Sequence, residues 1–165
     1  EEAMFRRFIL SAFVAAAALA QTGAQAQSER QPPYWVSLRA NDVLMRTGPA
    51  QTYPAQWRYV RRGLPMRVIA VQPHWRKVQD PLGAQGWIMR PLLDEQRTAL
   101  VVGAEPRPMH AQADEGSPVR FRVEPGVVGN IESCEAGWCE LDVQGRRGFI
   151  RASFIFGTDP NETVD

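Results

Sequence analysis

The chain carries one pattern twice, as GLPMRVIAVQPHW at residues 63–75 and as GVVGNIESCEAGW at residues 126–138. In both copies a glycine lies twelve residues before a tryptophan, and apolar residues are interspersed with polar ones between them. Short runs of this kind, ended by turn residues, predict the hairpins of a β-structure. A pattern that recurs at a fixed distance predicts a duplicated structural unit.

The correspondence extends beyond the tryptophan. Gly86-Trp87-Ile88 matches Gly148-Phe149-Ile150, and Leu92-Leu93 matches Phe154-Ile155, so each unit is about 60 residues long. Because the 13 glycines and 13 prolines favour tight turns and no amphipathic helical period is sustained after residue 26, we expect an all-β protein of two tandem small barrels. The predicted elements of the first unit are strands at Met66–Val71, Trp75–Val78 and Gln85–Met89, followed by a 3₁₀ turn at Arg90–Leu93.

Residues 4–26 predict a signal peptide. Arg6-Arg7 precedes an apolar run from Phe8 to Ala20, and Ala24-Gln25-Ala26 has the small residues that signal peptidase requires. The run of thirteen residues is shorter than the ~20 that span a bilayer. We therefore expect a periplasmic or secreted protein with no membrane span after cleavage, exported by the general secretory or the twin-arginine route; an uncleaved anchor is the alternative.

These features divide the chain into five segments. The polar composition of the two short segments outside the units predicts a linker and a flexible tail. The segments are the signal peptide at 4–26, the linker at 27–35, the first barrel at 36–102, the second barrel at 103–157 and the flexible tail at 158–165.

The two units carry opposite charges. Residues 34–102 contain ten Arg or Lys and four Asp or Glu, a net charge of +6, whereas residues 103–165 contain six and eleven, a net charge of −5. Either the units dock on each other, or each meets a different surface, or both are independently solvated.

Cys134 and Cys139 flank a four-residue turn and would face each other across a hairpin. In the oxidising compartment that the signal peptide implies, such a pair predicts a disulfide. A redox pair is disfavoured because the spacing is C-x₄-C. Val71 and Arg76 hold the matching places in the first unit, so the fold does not require the bond.

The first unit resembles the bacterial SH3 domain. Val43-Leu44-Met45-Arg46-Thr47-Gly48-Pro49 is similar to that family's opening strand and Gly-Pro turn, and Tyr53-Pro54 and Trp87-Ile88 continue the likeness. In the second unit His110-Ala111-Gln112-Ala113 departs from the opening, although Gly137-Trp138-Cys139 fits one subgroup. The resemblance spans residues 36–157 and implies two SH3-like barrels with a cell-wall or envelope ligand.

No signature of catalysis is present. The sequence has no nucleophile elbow, phosphate loop or dinucleotide fingerprint. Its two histidines, His74 and His110, fall in different units without further ligands at metal spacing. We expect a protein that is not an enzyme and has no cofactor or metal.

Five residues of the first unit form the candidate ligand-binding face: Tyr53, Trp57 and Tyr59, with Arg58 and Arg62 nearby. Rigid amphipathic rings suit peptide or glycan-peptide ligands, and guanidinium groups pair with carboxylates. A basic solvated face is the plain alternative. A barrel of ~60 residues holds only one or two large rings in its interior, so other rings are expected to be partly structural. These are Trp75, Trp87, Trp138 and Phe149.

The hypothesis that follows is an exported, non-catalytic module that contacts peptidoglycan or an envelope protein through the first barrel. The alternative is a structural or adaptor protein of the periplasm that binds other proteins and no glycan. Nucleic acid is not expected as a partner, because an exported protein does not meet it in the cytoplasm.

Overall fold

The computed structural model describes residues 30–165. The predicted signal peptide and residues 27–29 of the predicted linker lie outside this range. No helix within residues 30–165 is long and apolar enough to cross a membrane.

The chain forms two seven-stranded antiparallel sheets that have the same strand order, which confirms the two tandem SH3-like barrels. Barrel 1 has the order β3-β2-β6-β5-β4-β1-β7, and barrel 2 has the order β10-β9-β13-β12-β11-β8-β14. Barrel 1 consists of β1 (Tyr34–Leu38), β2 (Val43–Arg46), β3 (Ala55–Tyr59), β4 (Pro65–Gln72), β5 (Trp75–Gln79), β6 (Gln85–Met89), a 3₁₀ turn (Arg90–Leu92) and β7 (Leu93–Asp94). Barrel 2 consists of β8 (Thr98–Val101), β9 (Arg107–His110), β10 (Val119–Val123), β11 (Val128–Glu135), β12 (Trp138–Val143), β13 (Arg146–Arg151), a 3₁₀ turn (Ala152–Phe154) and β14 (Ile155–Phe156).

The glycine that opens each repeat has a backbone role. Gly63 and Gly126 have φ angles of 79° and 88°, in the left-handed region that glycine adopts without strain. In this conformation the Gly63 N–H donates to the Leu38 carbonyl at 2.8 Å, and the Gly126 N–H donates to the Val101 carbonyl at 2.7 Å. The glycine therefore turns the chain into the long strand and ties it to the first strand of its own barrel.

A β-bulge interrupts the long strand of each barrel. The register shifts between Val68 and Ala70 in β4, and between Ile131 and Ser133 in β11. A bulge changes which face the following residues occupy. Val71 consequently packs against the barrel 1 core, although simple alternation predicts that its side chain lies on the other face of the strand from Val68.

The first and last segments of the described chain differ from the sequence prediction. β1 begins at Tyr34, within the predicted linker. Residues 98–101, predicted in the first barrel, form β8 of the second sheet, because β8 pairs with β11 as β1 pairs with β4. The tail at 158–165 lies on barrel 2, where the backbone groups of Val164 and Cys134 exchange hydrogen bonds of 2.9 and 3.0 Å.

The two barrels are docked on each other. Trp35 of β1 is 5% exposed and meets the ring of Phe156 edge-on, with the ring centroids 4.8 Å apart. The Thr98 hydroxyl donates to the Gly63 carbonyl at 2.7 Å. Arg67 stacks on Trp35 and pairs with Asp159 at 3.1 Å, so one ion pair joins the basic barrel to the acidic segment.

Candidate functional site

The predicted aromatic face centres on β3, an edge strand of barrel 1. Trp57 pairs with Met45 and Tyr59 pairs with Val43 in the β2–β3 ladder. Directly opposed residues share a face, so both rings lie on the face of two buried core residues. Trp57 nevertheless remains 52% exposed, on the edge strand of the sheet. Tyr53, in the loop before β3, is 46% exposed.

Tyr59 has a structural role that sequence reasoning did not reveal. Its side chain is half-buried and packs against the barrel 1 core. Its hydroxyl donates to Asp80 Oδ2 at 2.9 Å, and burial together with this carboxylate raises the pKa of the Tyr59 hydroxyl well above its usual range. Asp80 Oδ1 accepts the N–H groups of Leu82 and Ala84 at 2.9 and 2.8 Å. Tyr59 therefore joins the edge strand to the β5–β6 turn.

The two predicted arginines are both exposed but differently placed. Arg58 lies on the outer face and donates to both carboxylate oxygens of Asp42 at 2.8 and 2.7 Å, and these bonds hold the pKa of Asp42 below its usual range. Arg62 follows β3, and its backbone N–H donates to Asn41 Oδ1 at 3.0 Å. Of the five candidate residues, Tyr53 and Trp57 have rings that are exposed to solvent. Arg58 is already paired with a carboxylate.

Barrel 2 covers the equivalent ring. Phe121 of β10 pairs with the buried Met109, as Trp57 pairs with Met45. The guanidinium of Arg146 stacks on Phe121, 4.1 Å from the ring centroid, and the ring packs against the barrel 2 core. At this position only the first barrel presents an uncovered aromatic surface.

A small groove of about 350 Å³ lies beside Trp138 in barrel 2. Arg151 stacks on Trp138 at 4.4 Å from the ring centroid and donates to Glu115 at 3.0 and 2.7 Å. His110 is 7% exposed, meets Trp138 edge-on and places Nδ1 3.0 Å from the Ser117 carbonyl oxygen. Arg151, Glu115 and His110 of this groove are thus already paired within the barrel.

Barrel 1 contains a larger cavity, of about 920 Å³, that sequence reasoning did not anticipate. It lies between β1, the β4–β5 turn and the 3₁₀ turn. Arg76 is 5% exposed beside it, donating from Nε to the Tyr34 hydroxyl at 3.0 Å and from Nη1 to the Gln72 carbonyl at 2.6 Å. The alignment of the two repeats contains one signal of this difference: Arg76 matches Cys139, so barrel 1 has a guanidinium where barrel 2 has a sulfur.

The disulfide between Cys134 and Cys139 is confirmed, with a Cα–Cα distance of 4.1 Å. Cys134 and Cys139 are directly paired in the β11–β12 ladder and belong to the barrel 2 core. Within residues 30–165, no group of three or more His, Cys, Asp or Glu side chains is placed to hold a metal ion.

Comparison with solved structures finds low similarity. NlpC1 of Trichomonas vaginalis is 14% identical with a TM-score of 0.35, over 79% of this chain and 48% of that one. NlpC2 of the same organism is 11% identical with a TM-score of 0.34, over 77% and 49%. An NlpC/P60 family protein of Bacillus cereus is 11% identical with a TM-score of 0.34, over 74% and 56%. The chain thus spans about half the length of these proteins.

Sequence comparison identifies the repeated unit. No curated protein sequence matches the chain significantly. A family model described as the bacterial SH3 domain matches twice, at residues 39–95 and 103–157. Because these two matches together cover more than half of the sequence, the chain belongs to the bacterial SH3 domain family.

Proposed function

We propose that this protein is a non-catalytic binding module of the bacterial cell envelope that contacts peptidoglycan or an envelope protein through barrel 1. The observation that carries the proposal is the uncovered Trp57 on an edge strand, at a position where barrel 2 covers its own ring with Arg146. The predicted signal peptide supports export, and the disulfide fits an oxidising compartment.

The chemistry of this surface favours an anionic peptide. An exposed indole offers a large rigid apolar face at a small cost in conformational entropy. The surrounding first unit has a net charge of +6, which attracts carboxylates such as those of cell-wall stem peptides. A ligand can use the apolar ring face and the positive charge together only where the ring is exposed to solvent. Trp57 and Tyr53 are both exposed.

An adaptor that binds other proteins is the second candidate function. The seating of residues 158–165 on barrel 2 favours it, since an SH3-like barrel of this chain here holds a peptide segment through a backbone bridge at Val164. An adaptor would bind protein partners equally well in the absence of glycan.

Binding to purified sacculi tests the first function. The chain from residue 27 onward should sediment with sacculi, and Trp57→Ala should weaken binding several-fold, because truncating an aromatic anchor typically costs more than ~1 kcal/mol. Rising salt should weaken it further, since exposed charges are screened.

The matched control is Phe121→Ala, at the same ladder position of barrel 2. It should leave sacculus binding unchanged at a temperature where both variants are folded. Equal loss in both variants, or a Trp57→Ala protein that binds normally, would contradict the assignment of this surface. Capture of an envelope protein without sacculus binding would favour the adaptor.

A further inference from the structure

The cavity of barrel 1 and the tail site of barrel 2 occupy equivalent places. Val71 pairs with Arg76 at the end of the β4–β5 hairpin, as Cys134 pairs with Cys139 in β11–β12. The turn that follows is equivalent as well. In barrel 1 the His74 carbonyl accepts an N–H from the 3₁₀ turn at 3.0 Å, and in barrel 2 the carbonyl of its counterpart accepts one at 2.9 Å. The counterpart of His74 is Gly137.

In barrel 2 this place is filled from within the chain. Val164 bridges Cys134 in antiparallel fashion and packs against the barrel core. The Pro160 carbonyl oxygen lies 3.7 Å from where a Cβ of Gly137 would stand. Arg97 completes the site, because its guanidinium donates to both carboxylate oxygens of Glu162 at 2.7 and 2.9 Å. The tail is thus an acidic segment with a turn at residues 160–161, held by one backbone bridge at a strand edge, an apolar contact and a guanidinium.

In barrel 1 the corresponding residues line the open cavity. The counterpart of Arg97 is Tyr34, because Tyr34 pairs with Val68 and the Arg97 carbonyl accepts the N–H of Ile131, the equivalent of Val68. Tyr34 and His74 both line the cavity. The edge of Val71 that faces away from β5 has no strand or isolated bridge from residues 30–165 beside it.

The charges around this cavity complement an acidic segment. Four arginines line it; Arg39 pairs with the lining Asp94 at 3.4 Å and Arg76 is bonded to Tyr34, so the cationic rim rests on Arg30 and Arg90. Arg90 stands exposed at its rim, and His74 is exposed in the β4–β5 turn. The residues 158–165 that fill the barrel 2 site include two Asp and one Glu, so an acidic ligand is already accepted at the equivalent place.

We propose that the barrel 1 cavity binds an acidic segment of a partner protein, which pairs with the edge of β4 at Val71 as the tail pairs with β11 at Cys134. Backbone hydrogen bonds to an exposed strand edge supply affinity, and the cationic rim selects for carboxylates. This site is separate from the Trp57 surface and does not depend on the proposed function.

The probe is a fluorescent synthetic peptide that copies residues 157–165, compared with a version in which its acidic residues are replaced by Asn and Gln. Fluorescence anisotropy with the chain from residue 27 should show binding of the acidic peptide and at least several-fold weaker binding of the neutral one. Arg90→Glu should weaken binding by roughly five-fold or more, since it reverses a rim charge. Arg90→Lys should restore most of the affinity.

Amide hydrogen exchange gives a second, positional readout. The Val71 amide should exchange quickly in the free protein and slowly with peptide bound, while the Cys134 amide stays protected throughout. Trp57→Ala should leave peptide binding intact, and Arg90→Glu should leave sacculus binding intact, so that failure of either proposal is seen separately.

Three results would overturn the proposal. The first is peptide affinity that is equal for both peptides or indifferent to Arg90→Glu. The second is a Val71 amide that is already protected in the free protein, because the chain itself then covers this edge. The third is self-association of the protein that the free peptide reverses, because the occupant is then the tail of a second copy.

Discussion

The hydroxyl of Tyr59 and the carboxylate of Asp80 connect the edge strand β3 to the β5–β6 turn at 2.9 Å. The same carboxylate accepts two backbone N–H groups of the turn, so the edge strand and the turn are held by one acceptor. Two residues earlier on the same strand, Trp57 is 52% exposed. One strand face therefore contains a structural ring and an open ring.

Replacement of Tyr59 by Phe should destabilise the protein without weakening sacculus binding. The substitution removes a part-buried hydrogen bond to a carboxylate, so we expect a loss of about 1–2 kcal/mol in the free energy of unfolding. Urea denaturation followed by fluorescence measures it. Tyr53→Phe is the control for stability and should leave the free energy of unfolding unchanged, because Tyr53 is 46% exposed and its hydroxyl has no hydrogen-bond partner among residues 30–165. If Tyr59→Phe has normal stability but binds sacculi weakly, Tyr59 contacts the ligand after all.

Sequence reasoning grouped Tyr53, Trp57 and Tyr59 because spacing and ring type are all that a sequence offers. The distinction between them depends on how exposed each ring is in the fold and on the position of Asp80, 21 residues away from Tyr59. Likewise, the pairing of Cys134 with Cys139 follows from the hairpin, whereas their burial follows from the bulge in β11.

At the scale of elements, the tail behaves differently from what its composition predicts. Residues 158–165 are polar and acidic, which predicts flexibility, yet Arg97 donates to Glu162 from a side chain that is only 14% exposed. The order comes from long-range partners that composition does not contain. Burial raises the pKa of Glu162, but the bonds from Arg97, the Asp159 N–H and Thr158 outweigh it and hold the pKa below the ordinary 4.5.

Acid should therefore loosen the tail. A carboxylate whose pKa is lowered on folding stabilises the folded state above its ordinary pKa, and this contribution is lost as the pH falls below 4.5 through the lowered value. Glu162→Gln should cost roughly 1–2 kcal/mol at pH 7, because it leaves Arg97 half-satisfied, and should flatten the stability loss between pH 7 and about pH 3. Thermal unfolding at both pH values measures this.

The matched control is Glu124→Gln, an exposed glutamate of barrel 2 that pairs with no cation among the described residues. A pH dependence that is identical in wild type and Glu162→Gln would show that this carboxylate does not hold the tail.

The remaining elements show what local pattern can and cannot predict. β6 has the predicted bounds, Gln85–Met89, since alternation and flanking turns mark it clearly. β8 falls within the predicted first barrel at 36–102, and no Gly or Pro separates it from β7. Its membership of barrel 2 depends on pairing with β11, which no local signal encodes.

At the scale of the molecule described by residues 30–165, two barrels are docked on each other, and the ion pair of Arg67 with Asp159 joins barrel 1 to the tail on barrel 2. The contact also includes Trp35 buried against Phe156, the Thr98 hydroxyl bonded to the Gly63 carbonyl, and the Arg61 guanidinium bonded to the Gly126 carbonyl. A tryptophan that is 5% exposed links the stability of one barrel to that of the other.

Trp35→Ala should uncouple the two barrels. Loss of this buried ring should cost about 3 kcal/mol or more, and a single unfolding transition should separate into two. Calorimetry resolves the transitions. Trp57→Ala, which truncates an exposed ring of the same type, should retain one transition. A single transition at the wild-type midpoint in Trp35→Ala would mean that docking contributes little to stability.

The tail seated on barrel 2 also sets the valency of the molecule. A tandem module with both grooves open can grip a repetitive target twice, and the second contact gains from the effective concentration created by the first. Residues 158–165 occupy one of the two equivalent places, so over residues 30–165 one groove of this pair is left for the proposed polypeptide ligand. We therefore expect each chain to hold one such segment at this pair of places and not to bridge two segments through them.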